Sequence, residues 1–282
     1  MPAQTETLVC IAGSGFRLLP LLSNPRIKTV YLVDQSNVQL EHAKKILALL
    51  EFCDYAQVIQ ELNPTSPKSL LYMGQHEQRY FLRARLLRLF FIGQFKPTID
   101  LTQTSRWPLF AALYSRLLKA LKKDSASPQN YVNYLTISVK KLMSTTYQRN
   151  FFWQQLVHGH AQTLDAFTSL ISEDTWTLAK SNLDRIKVHF IEQDLIDFLN
   201  SKDDEIDFIS ASNIINYLSD SRKSLLEKAI EKSLSVKGQI LLRSYIDPIR
   251  LNSQRLVEYR GKNDILNAEM TGSYLMKIYE KI

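Results

Sequence analysis

Glycine is scarce in this chain: 8 residues of 282. Cysteine is scarcer, with Cys10 and Cys53 alone, and their spacing fits neither a metal site nor a redox pair. Cys10 lies in an apolar run and reads as a small buried hydrophobe. No apolar run approaches the ~20 residues that a membrane-spanning helix needs. The first residues, MPAQTET, carry no basic segment ahead of an apolar stretch, so no secretory signal is expected. A reducing cytoplasm is the expected location. Low-complexity segments and internal repeats are also missing.

What remains is an ordinary globular composition, 45% hydrophobic and 22% charged. Basic residues outnumber acidic ones 35 to 28, a net charge of +7 that favours anionic partners without choosing among them.

Two of the few glycines fall together, in LVCIAGSGFRLLPLL (8–22). The apolar run Thr7 to Ala12 predicts a buried strand. Gly13-Ser14-Gly15 then predicts either a plain tight turn or a loop whose backbone lies against a ligand. If the ligand is there, Gly13 should have little room for a side chain. KTVYLVD (28–34) predicts a second strand, its consecutive apolar residues suiting a strand covered on both faces. A helix follows from Ser36, with Leu40, Ala43, Leu47 and Leu50 on one face. Ser36 with Gln39 has the capping-box pattern, and Glu41 with Lys45 the favoured i,i+4 charge order. Residues 7–50 thus read as a βαβα unit that opens a parallel sheet.

Residues 51–185 carry mainly helical periodicity, with segments at 77–93, 107–123, 149–160 and 173–186, and an ambiguous one at 130–143. Strand patterns return at KVHFIEQD (187–194), EIDFISAS (205–212) and GQILLRSY (238–245), with an amphipathic helix at 221–234. SYLMKIYE (273–280) predicts a last strand, antiparallel at the edge. The expected fold is a doubly wound, mainly parallel α/β sheet. Residues 1–50 and 186–282 would form its core, and 51–185 a helical insertion or lid.

Strand ends carry the chemistry. Asp34 ends the second strand 19 residues beyond Gly15, near the ~20-residue spacing at which an acidic side chain meets ribose hydroxyls. Alone it could as well cap the next helix. Gln193-Asp194 and Ser212-Asn213 end the third and fourth strands at the same edge. The expected cofactor-binding set is Gly13, Ser14, Gly15, Asp34, Gln35, Gln193, Asp194, Ser212 and Asn213. A dinucleotide would want a third glycine near position 18, which is Leu18. S-adenosylmethionine fits better, since it has no pyrophosphate to cradle.

AGSGFRLLPLL followed by VYLVDQSNVQLEHAK resembles the start of the S-adenosylmethionine-dependent 3-amino-3-carboxypropyltransferases of betaine-lipid synthesis. The likeness continues at RNFFWQQLVHGH (149–160) and DFISASNIINYLSD (207–220), in matching order. It implies a fold similar to class I methyltransferases and a transfer to a lipid-like or small acceptor that releases 5′-methylthioadenosine. Methyl transfer to a small molecule or lipid is the first rival. Phe16-Arg17 and Gln35-Ser36-Asn37 depart from the family pattern. A non-catalytic binding protein of the same fold is therefore a second rival.

Asn150, Trp153, Gln154 and His158 are acceptor-pocket candidates under this resemblance; Phe151, Phe152, Trp153 and Leu156 could equally be helix core. His158 and His160 stand i,i+2 across Gly159, off a shared helix face, so no metal site is expected. The arginines of 77–93 suit either a helix on an anionic membrane surface or a core helix with snorkelling side chains. Nucleic acid is not an expected partner. The end of strand four lacks the Asn/Asp-Pro-Pro-aromatic motif of many amino-group methylases, and no basic and aromatic residues interleave for stacking bases.

Overall fold

The structure is a computed structural model; it describes residues 1–13, 15, 18–61, 172–244, 249–259 and 275–282. Two compact units divide the chain: Met1–Asp54, Glu173–Glu269 and Tyr274–Ile282 form the first, Tyr55–Ser172 with Met270–Ser273 the second. Of the second, the described elements reduce to helix α3 (Tyr55–Glu61). The helical segments expected at 77–93, 107–123, 130–143 and 149–160 lie outside the described residues.

The first unit is built on strands β1 (Thr7–Ile11), β2 (Thr29–Asp34), β3 (Lys187–Glu192), β4 (Ile206–Ser210), β5 (Leu234–Ser244), β6 (Leu256–Glu258) and β7 (Leu275–Lys281). They form one sheet in the order β3-β2-β1-β4-β5-β7-β6. The first five pair in parallel, while β7 runs antiparallel to both β5 and β6. This is the expected doubly wound, mainly parallel α/β sheet. The chain steps outward from β1 through β2 to β3, then returns to place β4 on the other side of β1. Loops leaving β1 and β4 therefore part in opposite directions and open a crevice at the carboxyl ends of the strands.

Both faces of the central strands are buried, which is why they read as unbroken apolar runs. Val9, Val33, Ile209, Ile240 and Leu242 share a core cluster with residues of α5 (Leu195–Asn200) and α6 (Asp220–Ser233). The alternating residues Leu8, Leu32 and Phe208 are equally buried. A second helical layer comprises α1 (Leu19–Leu22), α2 (Asn37–Phe52) and α4 (Glu173–Leu183), with α2 packing on β2 and β3.

Helix α4 belongs to this unit rather than to the insertion, where the periodicity alone had put it. Trp176 on α4 is buried, and its indole N–H donates to the Cys53 carbonyl at 3.4 Å. Lys180 Nζ donates to the same carbonyl at 2.8 Å. A cation thus satisfies the end of α2, where the helix dipole favours one. Buried Asn182 donates to the Leu22 carbonyl at 2.9 Å and ties α4 to α1.

Several local expectations differ from what forms. The Ser36 side chain makes no capping bond; the Ser36 N–H instead donates to Asp34 Oδ1 at 3.0 Å. Glu41 pairs with Lys44 at 2.7 Å, not with Lys45. The last strand is not at the edge: β7 lies between β5 and a three-residue β6. Strand β5 starts at Leu234, straight out of α6, and reaches Gly238 through a register shift opposite Ile206 and Phe208.

Tyr279 on β7 is buried in the core, and its hydroxyl donates to the Ile249 carbonyl at 3.1 Å. Burial first, then the nearby Glu258, holds the phenol above its ordinary value of 10.0. The unfolded chain therefore ionises before the folded one. The stabilisation is complete below pH 10 and is lost as pH rises through the folded-state value. Tyr279→Phe should cost about 1 kcal/mol at neutral pH. It should also flatten the loss of stability above pH 10 in denaturant titrations followed by circular dichroism.

Candidate functional site at the carboxyl edge of the sheet

The loop after β1 is set by two glycines in the left-handed region, Gly13 at φ +47° and Gly15 at φ +75°. They do different work. A Cβ on Gly15 would stand 3.0 Å from Ile46 Cγ1 and 3.2 Å from Ala43 Cα, so Gly15 lets the loop pack onto α2. A Cβ on Gly13 would meet only the Ile11 carbonyl, at 3.9 Å. The crowding expected at Gly13 is by a bound cofactor, and the protein atoms of the described residues leave that side open. Crowding by protein belongs to Gly15; among the described residues, nothing but the Ile11 carbonyl comes within 4 Å of a Cβ on Gly13.

Asp34 ends β2 facing this loop. Its Oδ2 accepts from the Gly13 N–H at 3.3 Å, and its Oδ1 accepts from the Ser36 N–H. The carboxylate is thereby aimed by two backbone donors from two loops. Each oxygen retains acceptor capacity, because a carboxylate offers about four lone-pair directions. The carbonyl of Asp34 accepts from the Gln193 N–H at 3.1 Å and brings in the end of β3.

Asp194 caps α5, with Oδ1 accepting from the Ile196 N–H at 2.8 Å. Its Oδ2 accepts from the Gln35 side-chain amide and pairs with Arg222 Nη2, the latter at 2.7 Å. Gln35 and Asp194 are thus brought together, but their partners in this structure are protein groups. The Gln193 side chain is exposed.

Beyond β4, Ser212 takes φ +53°, an uncommon conformation for a residue with a Cβ. Its Oγ donates to Asn213 Oδ1 at 3.1 Å, and its carbonyl accepts from the Arg243 N–H at 2.9 Å. Asn213 Nδ2 donates to the hydroxyl of the exposed Tyr217 at 3.2 Å. Asn216, on the following 3-10 turn Ile214–Asn216, donates through Nδ2 to Ser244 Oγ at the end of β5 at 3.0 Å. Left-handed residues therefore stand after both strands that flank the switch point, β1 and β4. Such backbone costs roughly 1–3 kcal/mol per non-glycine residue and gathers at ligand sites.

Gly13, Gly15, Asp34, Gln35, Gln193, Asp194, Ser212 and Asn213 all stand at one edge of the sheet. Ser14 lies outside the described residues, as do Asn150, Trp153, Gln154 and His158. Four members of the edge were missed in the sequence. Ser244 ends a strand, so the rule that selected Ser212 could have found it. Asn216 and Tyr217 follow the Ser-Asn pair directly. Arg222 leaves no one-dimensional signal: it reaches Asp194 from a helix 28 residues further on. Among the described residues, no group of three His, Cys, Asp or Glu side chains is placed to hold a metal ion.

No protein-family model matches the chain, and no curated protein matches it. Among solved structures it is similar to an rRNA methyltransferase, aviRa, from Streptomyces viridochromogenes. The identity is 12%, with 99% of this chain and 78% of that one covered and a TM-score of 0.42. A second structure of that enzyme gives 11% identity, 98% and 76% coverage and a TM-score of 0.38. Phosphoethanolamine N-methyltransferase 1 of Haemonchus contortus, solved with phosphoethanolamine and S-adenosylhomocysteine, gives 12% identity, 99% and 89% coverage and a TM-score of 0.23. The functional reading rests on the sheet and its loops.

Proposed function

We propose that the protein is an S-adenosylmethionine-dependent transferase whose cofactor lies across the crevice between the loops of β1 and β4. The observation that carries this is the junction of Gly13 and Asp34. A left-handed glycine, uncrowded by any described residue, is bonded to an aimed carboxylate at the switch point of a doubly wound sheet. These residues fit a nucleoside. Asp34 keeps lone pairs for ribose hydroxyls, and the open side of Gly13 admits a ligand where a side chain would otherwise stand.

When bound, the cofactor supplies a sulfonium whose attached carbon is open to displacement. The protein contributes alignment, which converts an encounter into a near-attack arrangement. Asp34 would fix the ribose. The Gly13 loop would admit the cofactor's close approach. Ser212 and Asn213, whose backbone is held by the Ser212–Arg243 bond, would border the reacting end. Tyr217, tethered by Asn213, stands at the rim and would meet the acceptor.

Methyl transfer is the leading reaction, being the commoner chemistry on a sheet of this kind. Transfer of the 3-amino-3-carboxypropyl group is the second reading. It is favoured by the resemblance at residues 149–160, which lies outside the described residues. The cytoplasm, with an anionic membrane as a peripheral alternative, is the proposed location. Of the expected insertion, residues 55–172 are proposed as the lid. The test is incubation with S-adenosylmethionine and a panel of small amines and lipid extracts, followed by mass spectrometry of the nucleosides. Enzyme-dependent S-adenosylhomocysteine is expected. 5′-Methylthioadenosine above an Asp34→Ala control would establish the second reading. Neither nucleoside, with no cofactor binding by calorimetry, would overturn the proposal.

A further inference from the structure

The opposite edge of the sheet carries a feature that the crevice does not use. At the amino ends of β1 and β2 lies a groove of about 460 Å³, lined by Glu6, Pro25, Arg26, Ile27, Lys28 and Arg185. Three cations and one carboxylate face it. Glu6 pairs with Lys28 at 2.8 Å, but among the described residues no carboxylate pairs with the guanidinium of Arg26 or Arg185. Two positive charges remain uncompensated around one concavity.

The groove is built on fixed backbone. Lys28 N–H donates to the Glu6 carbonyl at 2.9 Å, and Lys187 N–H to the Lys28 carbonyl at 2.8 Å. Arg185 N–H donates to the Asn182 carbonyl at 3.0 Å. The Arg185 side chain is oriented as well. One of its terminal nitrogens donates to Asn182 Oδ1, and Asn182 is buried and anchored through its own amide to the Leu22 carbonyl. An oriented guanidinium with its remaining N–H groups free is a prepared donor for a planar or tetrahedral oxyanion.

We propose that this groove binds a phosphate group carrying two or more negative charges, remote from the crevice at the other edge. The charge sets the class. A single carboxylate would neutralise one of the two uncompensated guanidinium charges, whereas a phosphate dianion or diphosphate meets both. The cationic side chains are largely solvent-exposed, so the affinity falls as salt rises.

The experiment is calorimetric titration of the full chain with inorganic pyrophosphate at low ionic strength. A parallel arm sediments the protein with phosphatidylcholine vesicles that contain or lack phosphatidic acid. Saturable binding is expected, weakened at least tenfold by R26E with R185E and tightened several-fold by E6Q. Each variant is checked by its melting temperature and by unchanged S-adenosylmethionine binding. If the double reversal unfolds the chain, R26Q with R185Q removes the same charges more gently and should also weaken binding. Binding of pyrophosphate identifies a free phosphate compound as the ligand. Sedimentation with phosphatidic acid alone, lost in the variants, identifies a lipid headgroup. Absence of both, or affinities unaltered in folded variants, overturns the proposal.

Discussion

Gly15→Val should lower the unfolding free energy by about 3–4 kcal/mol. Two costs add. A β-branched residue at φ +75° loses roughly 1–2 kcal/mol against glycine, because its Cβ crowds its own carbonyl. The new Cβ would also stand 3.2 Å from Ala43 Cα, and Ala43 sits in a buried turn of α2 that cannot yield without the helix moving. Overpacking of that kind costs about 1–3 kcal/mol more. Gly13→Ala carries the backbone cost but, among the described residues, meets no atom closer than 3.9 Å. Its signature should be the reverse: a melting temperature lowered by only a few degrees, with S-adenosylmethionine binding lost because the methyl group stands in the ligand's space. Urea unfolding and calorimetric binding, measured on both variants, separate the two roles. If Gly13→Ala binds the cofactor normally, the open space beside it is not the site.

Asp34→Ala should weaken S-adenosylmethionine by about 1–3 kcal/mol, which is roughly five- to 150-fold. Ribose hydroxyls would lose their acceptor, and the Gly13 N–H would lose the bond that shapes its loop. The fold should survive, since β2 is held by backbone pairing to β1 and β3 along its length. Asp34→Asn should bind with intermediate strength. The amide keeps one acceptor oxygen and cannot serve both the Gly13 and Ser36 N–H groups at once. Equal affinity in wild type and Asp34→Ala, with both proteins folded, would remove Asp34 from the site.

The parts of this protein that were legible in its sequence are those where a local pattern and a tertiary role coincide. Strands β1, β2 and β4 read as apolar runs because both faces of each are covered, whereas β3, at the sheet edge, is only half-buried. Helix α2 read correctly because its buried stripe, Leu40, Ala43, Ile46, Leu47 and Leu50, follows one face. Asp34 was singled out by its spacing from Gly15, and the structure does bring it to the Gly13 N–H. The misses have physical reasons too. Helix α5 is six residues and β6 three, too short for any period to emerge. Asp34 holds the Ser36 N–H that the Gln39 side chain would meet in a capping box, so the reciprocal half of that box does not form. Helix α4 carries the same periodicity in sequence as the segments before it, and the bonds from Trp176, Lys180 and Asn182 assign it to the core. Arg222 meets Asp194 only once α6 has docked.

The strand order also governs how the chain must be assembled. Of the pairings, β1 with β2, β4 with β5 and β6 with β7 join strands close in sequence, and the rest do not. Leu8 must find Phe208, Thr29 must find Lys187, and Gln239 must find Glu280. As the chain emerges from the ribosome, the β1–β2 pair has both outer edges open until more than a hundred further residues have been made. The last strand inserts between two that precede it. Loop closures of this length are slow, and unpaired apolar edges invite association with other chains meanwhile. Refolding yield should therefore depend on protein concentration far more steeply than stability does. Anything that holds β1 and β2 covered during synthesis would raise the fraction that reaches the native sheet.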